Sequence, residues 1–280
     1  MTFIPGTVPP HLQAQVAQVI ASVDGFAQLH QVQKKETKKL IPWATSPMQE
    51  KIFSAVEQGH KRIVILKARQ VYATTGCKMV LHHLAYTCPN AAMHAVISMR
   101  DDSATALLDD NRRWLDDPPA LLRRPVATRA KGRIVYADTS ASVQAFTSRS
   151  TTGLRSFTPA AAVVSEAAFA SDLEETIAQL DGAVGEGLLI LESTANNPND
   201  FFSKLIKAAP ENGWHLITMW WWEHPLYTSP DEAIPSDFEA TLTNVEKGLQ
   251  TEYGLTVNQL HWRRTKLLSL GSDQDRKSVV

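Results

Sequence analysis

The sequence predicts an α/β fold with a mainly parallel central sheet, followed by a small helical subdomain. Three observations predict it. Short apolar runs alternate with stretches of helical period from residue 62 to residue 219, the order that a parallel sheet requires. Beyond Pro230 only helical periodicity remains. The 280 residues are 44% hydrophobic, enough to bury both faces of a large sheet.

Residues 11–30 carry Leu12, Val16, Val19 and Ile20 at helical spacing, so an entry helix is expected there, and the charged segment 34–39 reads as an exposed bridge. Ser46 can cap, and Pro47 can start, a helix reaching about Gln58, because proline lacks only a donor that the first turn leaves unused. Residues 62–66 (RIVIL) read as a buried strand, a loop over 67–73 opens a helix from Thr74 to about Tyr86, and residues 93–98 form the next strand. A helix over 103–114 is expected to end before Asp116-Asp117-Pro118-Pro119. Residues 133–137 and 142–146 flank Asp138-Thr139-Ser140 as a hairpin, which adds antiparallel strands. Strands at 160–164 and 187–191 enclose a helix over 172–180, and a helix over 201–208 precedes a strand at 214–219. Helices over 237–253 and 256–270, the latter capped by Thr256, complete the chain. The expected domains are residues 1–39 (helical extension), 40–228 (α/β core) and 229–280 (helical subdomain).

Composition narrows the function classes. Lys and Arg number 28 against 29 Asp and Glu, a net charge of −1, so contact with a polyanion must come from a local basic patch. The two cysteines, Cys77 and Cys88, form neither a CxxC pair nor a disulfide framework. No segment has the apolar length of a membrane span and the N-terminus lacks the pattern of a secretory signal, so a soluble, cytoplasmic protein is expected.

Three segments carry candidate chemistry. The first, Lys67-Ala68-Arg69-Gln70-Val71-Tyr72-Ala73-Thr74-Thr75, joins a strand to a helix, where backbone N–H groups and a helix N-terminus can cradle phosphates. It lacks the glycines of the common phosphate loop, and an ordinary turn capped by Thr74 fits the segment as well. The second, 160–169, is an apolar strand ending in Ser165-Glu166 at the sheet edge where open α/β folds bind ligands; a solvated glutamate at the start of a helix is the plainer alternative. The third, 189–202, is a strand breaking into the polar run Glu192-Ser193-Thr194-Ala195-Asn196, suited either to sensing a phosphate or to a connecting loop with Asp200 capping the next helix.

Together these segments resemble the large terminase subunit of tailed double-stranded DNA bacteriophages. That family's ATPase domain carries a variant phosphate loop K-A-R-Q-x-G-x-[ST]-T, a strand ending Asp-Glu-Ala-Ala-Phe, and a coupling motif close to E-S-T-A-N-G-x-x-N-x-F. This chain reads KARQVYATT at 67–75, SEAAF at 165–169 and ESTANNPNDFF at 192–202. Ser46-Pro47-Met48-Gln49 is similar to the family's adenine-contacting glutamine segment, and 255–264 (LTVNQLHWRR) to its helical L-T-x-x-Q-x-x-W-R-R segment. The resemblance covers residues 40–270. It implies a P-loop NTPase-like three-layer sandwich that binds ATP and Mg2+, hydrolyses ATP, and moves double-stranded DNA into a procapsid from the host cytoplasm.

Carried over by position, Gln49 and residues 67–75 would bind the nucleotide, with Lys67 as the displaced phosphate-loop lysine. Glu166, with Lys67 and Arg69, would be catalytic. Thr74 and Ser165 would hold Mg2+, and Ser193, Thr194 and Ala195 would couple hydrolysis to movement. Arg155, in Gly153-Leu154-Arg155, stands where the family has a Gly-Arg stretch. The implied partners are duplex DNA, the portal protein and the small terminase subunit, with a ring on the portal and a monomer alone. Family members continue into a ribonuclease-H-like nuclease domain, which the resemblance does not find in residues 271–280.

Two residues depart from the family pattern: Tyr72 replaces a glycine and Ser165 a carboxylate. They leave open a degenerate P-loop fold with a binding or assembly role, and a helicase-like ATPase is the rival enzyme. The basic residues Arg112, Arg113, Arg123, Arg124, Arg129, Lys131 and Arg133 are candidates either for DNA contact or for a solvated face. Trp220, Trp221 and Trp222 are expected to pack the helical subdomain onto the sheet, with stacking on nucleic acid or an adenine as the alternative. His82 and His83 are expected to be core or surface residues and not metal ligands.

Overall fold

A computed structural model describes residues 8–34, 37–98, 105–147, 158–170 and 172–270. The chain divides into two compact units: residues 1–66 with 72–217, and residues 67–71 with 218–280.

The strands are β1 (Gln31–Gln33), β2 (Leu40–Pro42), β3 (Arg62–Lys67), β4 (Met93–Ser98), β5 (Val126–Ala130), β6 (Arg133–Tyr136), β7 (Ser142–Thr147), β8 (Ala161–Ser165), β9 (Leu188–Ser193) and β10 (His215–Met219). β1 and β2 pair antiparallel as a small separate sheet. The other eight form one sheet in the order β10-β3-β9-β8-β4-β7-β6-β5. The run from β3 through β9, β8 and β4 to β7 is parallel throughout. β6 and β5 extend it antiparallel beyond β7, so the expected hairpin gains a third strand.

Helices of the first unit are α1 (Gln13–Ile20), α2 (Val23–Ala27), α3 (Pro47–Glu57), α4 (Ala73–Thr87), α5 (Asp109–Trp114), α6 (Leu173–Val184) and α7 (Phe201–Ala208). Strand alternation sends Val64, Ala95, Ile97, Ala162, Val164, Leu189 and Leu191 to one face, where α6 and α7 cover them with Leu173, Ile177, Leu180 and Phe202. Ile63, Ile65, Val96, Val163 and Ile190 point the other way and are fully buried. α4 lies against β4, β7, β8 and β9 on that side, with α3 and α2 packed on α4. The result is the expected three-layer arrangement.

Several elements differ from expectation. The entry segment is two helices, because Ser22 accepts a bond from Gly25 N (3.0 Å) and restarts the chain as α2. The 34–39 segment joins β1 to β2, and residues 35 and 36 lie outside the described residues. The helix expected over 103–114 is a 3-10 turn, Thr105–Leu108, followed by α5.

In the second unit the helix expected over 237–253 divides into a 3-10 turn, Phe238–Thr241, and α8 (Asn244–Tyr253). Thr243 and Glu246 form a capping box at the true start: Glu246 N donates to Thr243 Oγ1 (3.2 Å) and Thr243 N to Glu246 Oε2 (2.8 Å). Thr256 caps α9 (Val257–Leu270) as expected, accepting from Gln259 N at 3.2 Å. The tryptophans pack this unit: Trp221 stacks on Trp262 (5.2 Å between centroids) and Trp222 meets Tyr253 (4.9 Å). No helix among the described residues is long and apolar enough to cross a membrane.

Candidate functional site

Parallel strands β3, β9, β8 and β4 end at one sheet edge, and the chain leaves that edge in the three segments that carry the motifs. Register sets Ser165 opposite both Glu192 and Ser98, and Glu192 opposite Ile65. Alternation turns Ser165 and Glu192 to the α4 face, because Leu189, Leu191, Ala162 and Val164 occupy the other.

α4 presents Thr74 in its first turn. The Thr74 hydroxyl donates to Glu192 Oε1 at 2.7 Å, and Ser165 Oγ donates to the same oxygen at 2.7 Å. Glu192 is completely buried and follows the four apolar residues Leu188-Leu189-Ile190-Leu191 of β9. Two hydroxyl donors and the positive end of α4 offset part of the cost of burying that carboxylate. Thr74 therefore does not cap the helix; its side chain points across to β9. Sequence reasoning missed Glu192 as a site residue. The available signal was a lone acidic residue closing the apolar run Leu188-Leu189-Ile190-Leu191.

The coupling segment is tied to the acidic strand. Ser193 is buried and its Oγ accepts from Ala168 N (3.1 Å), while Asn196 Nδ2 donates to Ala168 O (3.0 Å). These bonds grip the 3-10 turn Ala167–Phe169 that follows Glu166. Glu166 itself is half-buried and adopts the left-handed conformation, φ 57°. Thr194 is buried and Ala195 half-buried beyond Ser193.

Tyr72 precedes α4 with φ 62°, a conformation that costs a bulky residue about 1–2 kcal/mol. Its carbonyl accepts from Gln49 Nε2 at 3.5 Å. Gln49 is buried and its Oε1 accepts from Ser46 N (2.9 Å), closing the capping box of α3. α3 approaches α4 closely here: a Cβ on Gly76 would stand 3.0 Å from Gln49 Cγ. Ala73 is buried, and Thr75, in the first turn of α4, is half-buried.

Within the second unit Lys67, Ala68 and Val71 are buried, whereas Arg69 and Gln70 are exposed. Ala68 N donates to Met219 O (2.9 Å), and the Tyr227 hydroxyl donates to Arg69 O. Burial pushes the Tyr227 phenol above its usual range, and the Lys67 charge works against that rise. Gln70 joins Tyr72 and Glu166 as a non-glycine residue in the left-handed region, φ 65°. Such strain concentrates at functional segments.

Most of the basic candidates serve the fold. Arg124 is completely buried, donates to Asp138 (3.0 Å) and to the carbonyls of Ala85 and Tyr86 at the end of α4, and sits over the Tyr136 ring at 4.3 Å. Arg129 binds Asp116 (3.1 Å), Arg113 binds Asp110 (2.9 Å), Arg112 donates to Lys131 O (2.6 Å) and Arg123 to Pro118 O (2.8 Å). Lys131 and Arg133 are exposed. His82 and His83 are core residues packed with His30 around Phe26. Arg155 lies outside the described residues.

Among the described residues no group of three or more His, Cys, Asp or Glu side chains is placed to hold a metal. The hydroxyls of Thr74 and Ser165 with the Glu192 carboxylate form an all-oxygen donor set. That set fits a hard cation such as Mg2+, which takes few protein ligands and the phosphates of its nucleotide.

No protein-family model matches the chain, and no curated protein matches it. Solved structures do. The large terminase of bacteriophage HK97 superposes with a TM-score of 0.64 at 16% identity, over 93% of this chain and 54% of that one. The large terminase ATPase domain of Thermus phage P74-26 superposes with a TM-score of 0.53 at 13% identity, over 85% of this chain and 92% of the domain. The chain thus spans about half of the HK97 protein and nearly all of the isolated ATPase domain. The fold of this chain is that of the phage large-terminase ATPase domains.

Proposed function

We propose that this chain is the ATP-hydrolysing motor domain of a phage large terminase, which translocates double-stranded DNA into a procapsid. One observation carries the reading: KARQVYATT leads from a parallel strand into α4, whose Thr74 hydroxyl bonds a carboxylate at a neighbouring strand tip. The fold match supports it independently.

In this reading Lys67 neutralises phosphate charge, and the backbone N–H groups from Ala68 to Thr75 cradle the phosphates beside Arg69 and Gln70. Gln49 lies against the adenine. Thr74 and Ser165 would hold Mg2+, which would supply neutralising charge to the phosphates. Glu166 orients the attacking water and takes its proton, and Arg69 stabilises charge in the transition state. The segment Ser193, Thr194 and Ala195 passes the state of the site to the Ala167–Phe169 turn through the bonds that Ser193 and Asn196 make to Ala168. Lys131 and Arg133 are offered to the DNA backbone, and the portal protein and small terminase subunit are the protein partners of a ring on the portal.

Equilibrium binding of a non-hydrolysable ATP analogue tests the site. Lys67→Ala should weaken binding about tenfold or more, the value of a charge-assisted contact. A folded, unaltered chain that binds no analogue overturns the reading. A module that binds or assembles without hydrolysis is the second reading, favoured by the left-handed Tyr72 and by Ser165 in the acidic position. Analogue binding without turnover is its signature.

A further inference from the structure

Tyr227 is half-buried in the segment that follows β10, and its hydroxyl donates to the carbonyl of Arg69. A trans peptide unit is planar, so a bond that holds the Arg69 carbonyl also fixes the N–H of Gln70, which points the opposite way. Gln70 sits in the left-handed region, φ 65°, a conformation that persists where its surroundings hold it. Tyr227 is itself held. The Trp262 indole of α9 stacks on Trp221 (5.2 Å between centroids, 25° between planes) and on Tyr227 (4.7 Å, 31°). α9 also clamps the chain on either side of Tyr227: Gln259 Nε2 donates to Trp222 O (2.8 Å), Asn258 Nδ2 to Ser229 O (3.0 Å), and Ser229 N to Asn258 O (3.1 Å). A stacked phenol on a clamped segment presents its hydroxyl at a fixed point. Burial holds that phenol above its usual range against the pull of Lys67, so the hydroxyl is a donor at neutral pH.

We infer that Tyr227, buttressed by Trp262, is a positioning residue for the phosphate loop: its hydroxyl sets the Arg69–Gln70 peptide unit so that the Gln70 N–H is presented to the phosphates of the bound nucleotide. The inference rests on the nucleotide-hydrolase reading above and deepens it. Through this bond α9 acts on nucleotide binding from outside the loop.

The test uses the full chain and measures equilibrium binding of a non-hydrolysable ATP analogue alongside urea titration. Tyr227→Phe keeps the ring and its stacking and removes only the hydroxyl. It should weaken analogue binding about fivefold, the value of one neutral hydrogen bond. Trp262→Ala should weaken it by a similar factor, whereas Trp262→Phe, which keeps a stacked ring, should bind within about twofold of the unaltered chain. Both residues act through one contact, so the double variant Tyr227→Phe with Trp262→Ala should bind no worse than either alone. A tyrosine that serves only stability would lower the urea midpoint of Tyr227→Phe and leave its analogue affinity unchanged, and that result overturns the inference while the nucleotide site stands. Losses that multiply in the double variant overturn it as well. If Trp262→Ala does not fold, Tyr227→Phe decides the matter by itself. Failure of the folded, unaltered chain to bind analogue removes the site reading and the inference with it.

Discussion

Acidification from pH 7 to about 5 should destabilise the first unit through its buried histidines. His30 is buried and its pKa falls to about 4; desolvation outweighs the bond between Nδ1 and Phe26 O (2.9 Å). His94, buried in β4, falls to about 4 for the same reason despite the contact of Nδ1 with Ser142 O (3.1 Å). His82 is pushed well below its usual value by burial and then by His30 and His83, and His83 is lowered by burial against the pull of Glu57. Unfolded imidazoles bind protons below about 6.5, whereas the native rings of His30 and His94 stay neutral to about 4, so stability falls with pH across that window. At about pH 5 each of His30 and His94 removes roughly 2 kcal/mol, together roughly 4 kcal/mol of a typical 5–15. The carboxylates act lower. Asp110, raised by burial but lowered further by Lys78 and Arg113, and Glu246, lowered by its bond to Arg264, lose their contribution only below about pH 4. Urea titrations at the two pH values should show the midpoint fall sharply at constant slope. His94→Gln, which can still donate to Ser142 O, should lose about 2 kcal/mol of the dependence. A midpoint independent of pH between 7 and 5 refutes the reasoning.

Three further outcomes follow from single contacts. Asp138→Ala strips the carboxylate from the buried Arg124 and should cost about 3 kcal/mol in urea titrations, near the low end for a broken buried pair because Asp138 is partly exposed. Tyr72→Gly relieves about 1 kcal/mol of left-handed strain but gains a similar entropy cost in the unfolded chain. The melting temperature should therefore move little, while analogue binding tightens as the loop is freed to approach phosphate. Asn196→Ala removes the donor to Ala168 O; it should leave analogue binding unchanged and lower turnover, measured at saturating ATP.

The central strands β3, β4, β8 and β9 were legible because each is a compact apolar run closed by turn residues, and burial on both faces of a parallel sheet demands such runs, whereas β1 (QVQ) and β5 (VATRA) carry no such run and, with β2, were not expected. Helix boundaries were less so, because the deciding contacts are caps. Ser22 splits the entry helix and the Thr243–Glu246 box delays α8, whereas Asp237, an equally plausible starting residue by type, leads only into a 3-10 turn. The placement of Glu166, Thr74 and Ser165 at one sheet edge was readable from motif order. The contacts of Glu192 were not, because they depend on the register that pairs it with Ser165 and on the reach of a side chain from α4. Arg124 likewise looked like one basic residue among seven until Asp138 and Tyr136 enclosed it.

ATP turnover with and without duplex DNA tests the central claim most directly. The account predicts hydrolysis by the folded chain, stimulation by duplex DNA, and loss of turnover in Glu166→Gln with analogue binding retained, because that carboxylate acts in the transition state. Turnover undiminished in Glu166→Gln, or analogue binding with no hydrolysis by the unaltered chain under any DNA condition, contradicts it.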